Sequence, residues 1–103
     1  MVKYVLTKKA VADLTGIWKY SIDMWGEKQA EKYYSNIINT CQQLADNPSI
    51  GRDYSFIADN LFGFRVERHI IFYRMALINS NTSIEVIRIL HERMDLRNRI
   101  LES

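Results

Sequence analysis

Residues 27–48, EKQAEKYYSNIINTCQQLADNP, decide the fold. Ala30, Tyr33, Tyr34, Ile37, Ile38, Cys41, Leu44 and Ala45 recur at alternating short and long steps that keep one face of a helix apolar. Glu27 puts negative charge at the positive end of that helix. Asn47-Pro48 stops it, because the residue before proline is disfavoured in the α region. Upstream, Ala10, Val11, Leu14, Ile17, Trp18, Ser21, Ile22 and Trp25 form a second, broader stripe. Thr7 is its expected N-cap and Gly26 its end. Two helices of similar length with a single break at Trp25-Gly26 predict an antiparallel helical hairpin.

The segments on either side of the hairpin read as strands. Val2 to Leu6 is a short β-rich run before the first helix. Pro48 to Asn60 is irregular, with Tyr54, Phe56 and Ile57 as anchors. Leu61 to Val66, Ile70 to Ile78 and Ile84 to Leu90 are three further strands, the last two separated by the turn cluster Asn79-Ser80-Asn81-Thr82. Asp95 is placed to cap a short C-terminal helix, with Leu96 and Ile100 on one side and Arg97 and Arg99 on the other. The order strand, helix, helix, strand, strand, strand predicts an α+β domain, a mostly antiparallel sheet with the helical hairpin on one face. The other face must be covered or used.

A chain of 103 residues has room for a single domain, residues 1–103, and for one substantial core. Its 48% apolar and 25% charged content is that of a globular protein. The apolar run near the start is too short for a signal peptide, and no run approaches the roughly 18 residues of a membrane helix. Cys41 is the only cysteine, which excludes a disulfide framework and a cysteine-based zinc site. No cofactor or metal is expected, and a cytoplasmic location is the simplest reading.

The net charge of +2 hides a segregation: all six lysines precede residue 33 and all eight arginines follow residue 51. Arginine suits bidentate contacts with phosphate or carboxylate, but it also lies over sheet surfaces with its stem buried. Cys41 sits on the apolar stripe of the second helix and reads as an inert buried thiol. Tyr33 and Trp18 fit a core, whereas tryptophans and tyrosines on a broad stripe also suit a groove for a partner helix. Arg65, Glu67 and His69 alternate on one face around the second strand. With Arg88 and His91 they hold the components of RNA cleavage, a base, an acid and cations for a charged phosphorane. Strand parity separates them, setting Arg88 on a face with Ile84, Val86 and Leu90, and His91 on the opposite face with Ile87 and Ile89. A twist or bulge would be needed to unite them. The mixed signs of Arg88, His91, Glu92, Arg93, Asp95, Arg97 and Arg99 suit a protein interface or a solvated helix better than a phosphate track.

The run Ile89-Leu90-His91-Glu92-Arg93-Met94-Asp95-Leu96 resembles the C-terminal signature of ParE toxins. The resemblance extends to Tyr4-Val5-Leu6-Thr7 with Ala10, Ala12, Asp13, Leu14 and Ile17, and to Trp25-Gly26 with Gln29-Ala30 and Tyr33. It continues through Leu61-Phe62, Phe64-Arg65 and Ile71-Phe72-Tyr73. It implies the ParE/RelE-like fold, a helical hairpin on a mostly antiparallel sheet. It also implies a toxin of a type II toxin–antitoxin system, carried on plasmids or chromosomes for maintenance or stress. Such a toxin inhibits DNA gyrase by binding, stabilises its cleaved-DNA complex, and is neutralised by a ParD-like antitoxin that alone contacts operator DNA. Membranes and catalytic residues have no part in this reading. The expected gyrase contacts are Arg65, Arg88, His91, Glu92, Arg93, Met94, Asp95 and Arg97. The antitoxin is expected in the groove beside Trp18, Tyr20 and Trp25. RelE-like relatives are ribosome-dependent mRNA endonucleases rich in lysine and arginine at the site. Here residues 47–60 hold no lysine and Arg52 is their only base, which favours the gyrase reading. A third alternative is a toxin fold that binds antitoxin without toxicity.

Overall fold

The computed structural model describes residues 4–102. Its elements are β1 (Tyr4–Leu6), α1 (Lys8–Trp25), α2 (Glu27–Asp46), a 3-10 turn (Pro48–Ile50), β2 (Arg52–Asp53), β3 (Phe62–Val66), β4 (His69–Ile78), β5 (Asn81–His91) and α3 (Leu96–Leu101). Among the described residues, the strands form one sheet in the order β1-β5-β4-β3-β2. Only the β1–β5 pair is parallel. The α+β expectation holds, with the ends of β3 and β4 within one residue of those expected and β5 beginning three residues earlier, at Asn81. Val2 and Lys3, assigned to the first strand, lie outside the described residues. The two-residue β2 went unpredicted because two exposed residues carry no alternation to read.

Local chemistry explains the joints. Thr7 Oγ1 accepts the Ala10 amide at 3.1 Å and donates to the Ile87 carbonyl at 2.8 Å, so the α1 cap also ties the helix to β5. Gly26 joins α1 to α2 at a φ of 85°, a conformation that glycine adopts without Cβ strain. The turn between β4 and β5 is shorter than the sequence suggests. Only Asn79 and Ser80 lie outside the strands, with φ of 52° and 67°, the pattern of a type I′ hairpin.

The sheet buries both faces. On one face Leu14, Tyr33, Ile37 and Leu44 of the helical hairpin pack with Ile71, Tyr73, Ile84, Val86 and Ile89 of the strands. On the other face Leu61, Ile70, Phe72, Ile87 and Leu90 pack with Ile100 of α3 and with Tyr54 and Ile57. The coverage that the sheet required is thus supplied by α3 and the segment before β3. Burying an aliphatic side chain as fully as Ile37 or Leu44 contributes about 1.5–3 kcal/mol.

The register between β4 and β5 shifts once. Tyr73 stands opposite Val86 but Phe72 stands opposite Arg88, so Ile87 is an extra residue, a β-bulge. The bulge overturns the parity expected for this strand. Downstream of it, Ile89 joins Ile84 and Val86 on the helix side, while Ile87 and Leu90 turn to the α3 side.

Gly51 is held by a close approach. The buried Tyr73 phenol donates to the Pro48 carbonyl at 2.7 Å, and a Cβ on Gly51 would stand 1.8 Å from its oxygen. Gly51→Ala should therefore cost about 1–3 kcal/mol through overpacking, read as a lowered urea midpoint. An unchanged midpoint would mean that the Tyr73 ring is not fixed there.

Candidate functional site

One arginine in an otherwise apolar strand needs an acid. Arg88 is buried, and it meets Asp13 of α1 through two parallel bonds, Nε to Oδ2 at 2.8 Å and a terminal nitrogen to Oδ1 at 2.9 Å. This fork geometry is the strongest form of arginine–carboxylate pairing. Asp13 Oδ2 also accepts the Ile89 amide at 3.0 Å, so the carboxylate serves the edge of β5 beyond its short pairing with β1. The other terminal nitrogen of Arg88 donates to the Arg99 carbonyl at 3.1 Å. A single guanidinium thus connects α1, β5 and α3. Asp13 raises the Arg88 pKa further, chiefly through its hydrogen bonds, so the arginine stays charged.

Where the hairpin and the ends of β4 and β5 meet, an open groove of about 1060 Å³ forms. An aromatic row runs from its rim to its floor. Tyr20 meets Trp25 edge-on at 6.1 Å, Trp25 meets Tyr33 at 6.2 Å, Tyr33 meets His69 at 5.6 Å, and His69 meets His91 at 5.2 Å. The histidines are cross-strand partners on the helix-facing side. Burial raises the pKa of the Tyr33 phenol, which keeps its proton and lies 2.5 Å from His69 Nδ1 and 3.3 Å from the Val66 carbonyl. We assign the shorter bond to the phenol as donor and the His69 proton to Nε2. Burial, and secondarily His91, push the His69 pKa down to about 4. His91 Nδ1 accepts the Arg93 amide at 3.1 Å and shapes the turn that leads to α3.

The residues expected to contact a target are divided by this geometry. His91, Arg93 and Met94 line the groove. Arg65 is exposed, pairs with Glu92 at 2.8 Å, and donates to the Glu67 carbonyl at 2.8 Å. Asp95 caps α3 through the Asn98 amide at 3.3 Å, and Arg97 donates to the Phe56 carbonyl at 3.3 Å. Arg88 occupies the structural bridge rather than the surface.

The alternation of Arg65, Glu67 and His69 does not put them on one face. Glu67 and Arg68 form the turn between β3 and β4, with Glu67 at a φ of 53°. Across that turn Arg65 pairs with Ile70 on the α3 side, while His69 pairs with Val66 on the helix side. Arg65, Arg88 and His91 accordingly do not converge.

The three aromatic residues expected beside the antitoxin also separate. Tyr20 and Trp25 belong to the large groove, whereas Trp18 lines a smaller one of about 540 Å³ beside Tyr34, its ring 5.7 Å away. Sequence reasoning did not assign Asp13, Ser21 or Arg68 to a site. For Asp13 a signal existed, an acid beside the apolar stripe and an arginine needing a partner. Ser21 was placed on the stripe, but nothing in the pattern distinguishes a groove-lining hydroxyl from a core one.

The family model described as the ParE toxin of type II toxin–antitoxin systems, parDE, matches residues 4–96. This chain belongs to that family. It is similar to Toxin ParE1 of Mycobacterium tuberculosis, 35% identical over 94 residues that cover 91% of this chain and 93% of the relative. It is also similar to Toxin ParE1 of Caulobacter vibrioides, at 32% identity with 94% and 96% covered. Toxin ParE of Escherichia coli matches at 34% identity with 99% and 96% covered. The fold matches a chain of the "Chromosomal ParDE TA system from P. aeruginosa" with a TM-score of 0.72 at 20% identity, covering 88% of this chain and 96% of that one. The ParE-family chain is therefore a type II toxin–antitoxin toxin, and its α+β fold is that of a ParDE structure.

The depressed pKa of His69 has a thermodynamic consequence. The unfolded chain takes up this proton near pH 6.5 and the folded chain only near pH 4, so stability rises with pH across that interval. The contribution is fully present above pH 6.5 and is lost progressively on acidification. Urea midpoints measured from pH 7.5 to 4.5 should fall more steeply for the wild type than for His69→Gln. Parallel curves would contradict the environment assigned to His69.

Proposed function

We propose that this ParE-family chain inhibits DNA gyrase by binding, without chemistry of its own, and that a ParD-like antitoxin in the same cytoplasm neutralises it. The observation that carries this reading is the groove. Its lining includes three of the residues expected to meet the target, His91, Arg93 and Met94, and two of those expected to meet the antitoxin, Tyr20 and Trp25. Neutralisation then follows from occlusion, since an antitoxin segment in the groove covers the surface that gyrase needs. Operator DNA enters only through the antitoxin. Glu92, Arg65, Asp95 and Arg97 extend the gyrase contact around the C-terminal segment, and Arg88 acts behind it by positioning. Trp18 lies outside the shared groove and would serve an antitoxin that also crosses α1.

Inhibition of this kind requires selectivity between states. A bound protein shifts an equilibrium only by its differential affinity, so the toxin must hold the cleaved-DNA form of gyrase more tightly than the resealed form. The RNA-cleaving alternative draws no support from a geometry in which Arg65, Arg88 and His91 point to different surroundings.

Purified gyrase should lose supercoiling activity and accumulate cleaved DNA when this protein is added. Arg93→Glu and Met94→Ala should each weaken inhibition by about tenfold or more while leaving thermal stability near that of the wild type, as a central contact residue would. A ribosome-dependent mRNA cleavage assay on the same preparation should give no cuts. Intact supercoiling together with mRNA cleavage would overturn the proposal in favour of the endonuclease. Inactivity in both assays would overturn it in favour of a toxin fold without toxicity.

A further inference from the structure

On the α3 side of the sheet, away from the helical hairpin, one aromatic ring stands in solvent. Phe56 is 69% exposed, and among the described residues no aromatic side chain is more so. Its neighbours point inward, since Tyr54, Ile57 and Ala58 pack against the cluster of Leu61, Phe72 and Ile100. The backbone around it is closed on itself. Ser55 N–H donates to Asp53 Oδ1 at 2.7 Å, Ile57 N–H to the Tyr54 carbonyl at 2.9 Å, and Tyr54 N–H to the Leu61 carbonyl at 2.8 Å. The Phe56 ring lies 5.4 Å from that of Tyr54, whose own ring meets Phe72 edge-on at 5.0 Å. A single exposed phenylalanine on a slack loop needs no explanation, but this one is held out by a braced turn. Loops fixed in this way on a rigid scaffold are where recognition residues concentrate.

α3 supplies the surroundings. Arg97 donates to the Phe56 carbonyl at 3.3 Å, and Leu101, 58% exposed, stands one turn further along the same helix face. Leu96 and Ile100 face the core instead. Phe56, Arg97 and Leu101 thus form a patch that is aromatic, cationic and aliphatic. Arg93, Met94 and Asp95 lead directly into α3, so the C-terminal target surface runs onto this patch without a break. From the braced loop and this continuity we infer that the patch is a second part of the surface that docks on gyrase, with Phe56 as its anchor. The inference rests on the gyrase reading above and deepens it by naming a contact outside the groove. The Phe56 ring and Leu101 enter an apolar recess of the target protein, and Arg97 takes a carboxylate at its rim. A ring already fixed in place loses little entropy on docking. DNA held by gyrase is the poorer occupant. Asp53 and Asp59, both exposed, flank Phe56 in its loop, and the exposed Asp95 caps α3, so a phosphate backbone would meet like charge.

Inhibition of purified gyrase supercoiling by the full chain and its variants tests the inference. Phe56→Ala and Leu101→Ala should each raise the half-inhibitory concentration by about tenfold or more. Leu77→Ala removes a side chain that is 77% exposed at the far end of the β4–β5 hairpin, and it should leave that concentration unchanged. Melting temperatures of all three variants should stay near that of the wild type, because the deleted groups are exposed. Wild-type inhibition that survives intact in both Phe56→Ala and Leu101→Ala would overturn the patch and spare the gyrase reading. Absence of inhibition by the wild type would remove both. Equal weakening by Leu77→Ala would mean a general surface effect and would overturn the assignment. Binding of a short DNA duplex without gyrase, lost in Phe56→Ala, would overturn it in favour of nucleic acid. A wild-type dimer in solution that Phe56→Ala disperses would overturn it in favour of a second copy of the chain.

Discussion

The bidentate bond between Asp13 and Arg88 is the constraint on which the working end of the molecule depends. It spans 75 residues of sequence and joins elements from both faces of the sheet. A buried ion pair is not a cheap source of stability, since desolvating two charges offsets much of their attraction. Its value here is geometric. The carboxylate satisfies an edge amide of β5, and the guanidinium reaches the last turn of α3. The segment from Ile89 to Arg99 is thereby held against α1, and His91, Arg93 and Met94 are presented along one wall of the groove. Hydrophobic contacts alone would leave that segment free to slide, because they carry little direction.

The bulge at Ile87 works together with this bond. Without the extra residue, Ile89 would face α3 and His91 would turn away from His69. With it, the strand changes phase between two buried stretches, and the arginine sits where the phase changes. Bulges commonly re-aim side chains next to functional surfaces, and this one sets the direction of the groove's histidine. The short type I′ turn at Asn79-Ser80 fixes the register of the long hairpin from its other end.

These features explain what the sequence made legible. The helices could be read because periodicity, a threonine cap, a glycine joint and a proline stop all agreed. The strands could be placed because β-branched and aromatic runs are bounded by turn residues. Their faces could not, because alternation predicts a side only while the pleat is uninterrupted, and a bulge leaves no mark in composition. Arg88 invited a functional reading because an arginine in an apolar strand is unusual, yet its partner lay in the first helix. Asp13 stood in the family resemblance without a role. The groove itself was beyond reach, since Tyr20, Trp25, Arg68 and Met94 come from separate elements whose packing had to be known first. Family membership and the toxin class were legible through the His91-Glu92-Arg93-Met94-Asp95 segment, whose residues divide between the groove and the α3 face.

Amide hydrogen exchange in the wild type and in Asp13→Ala tests the central claim, that this one pair orders the C-terminal working segment. The account predicts that Ile89 and residues 91–101 exchange faster by about tenfold or more, while the buried amides of α2 such as Ile37 and Leu44 keep most of their protection. Equal acceleration throughout the chain would mean that Asp13 contributes only global stability. Unchanged exchange from Ile89 to α3 would contradict the account outright.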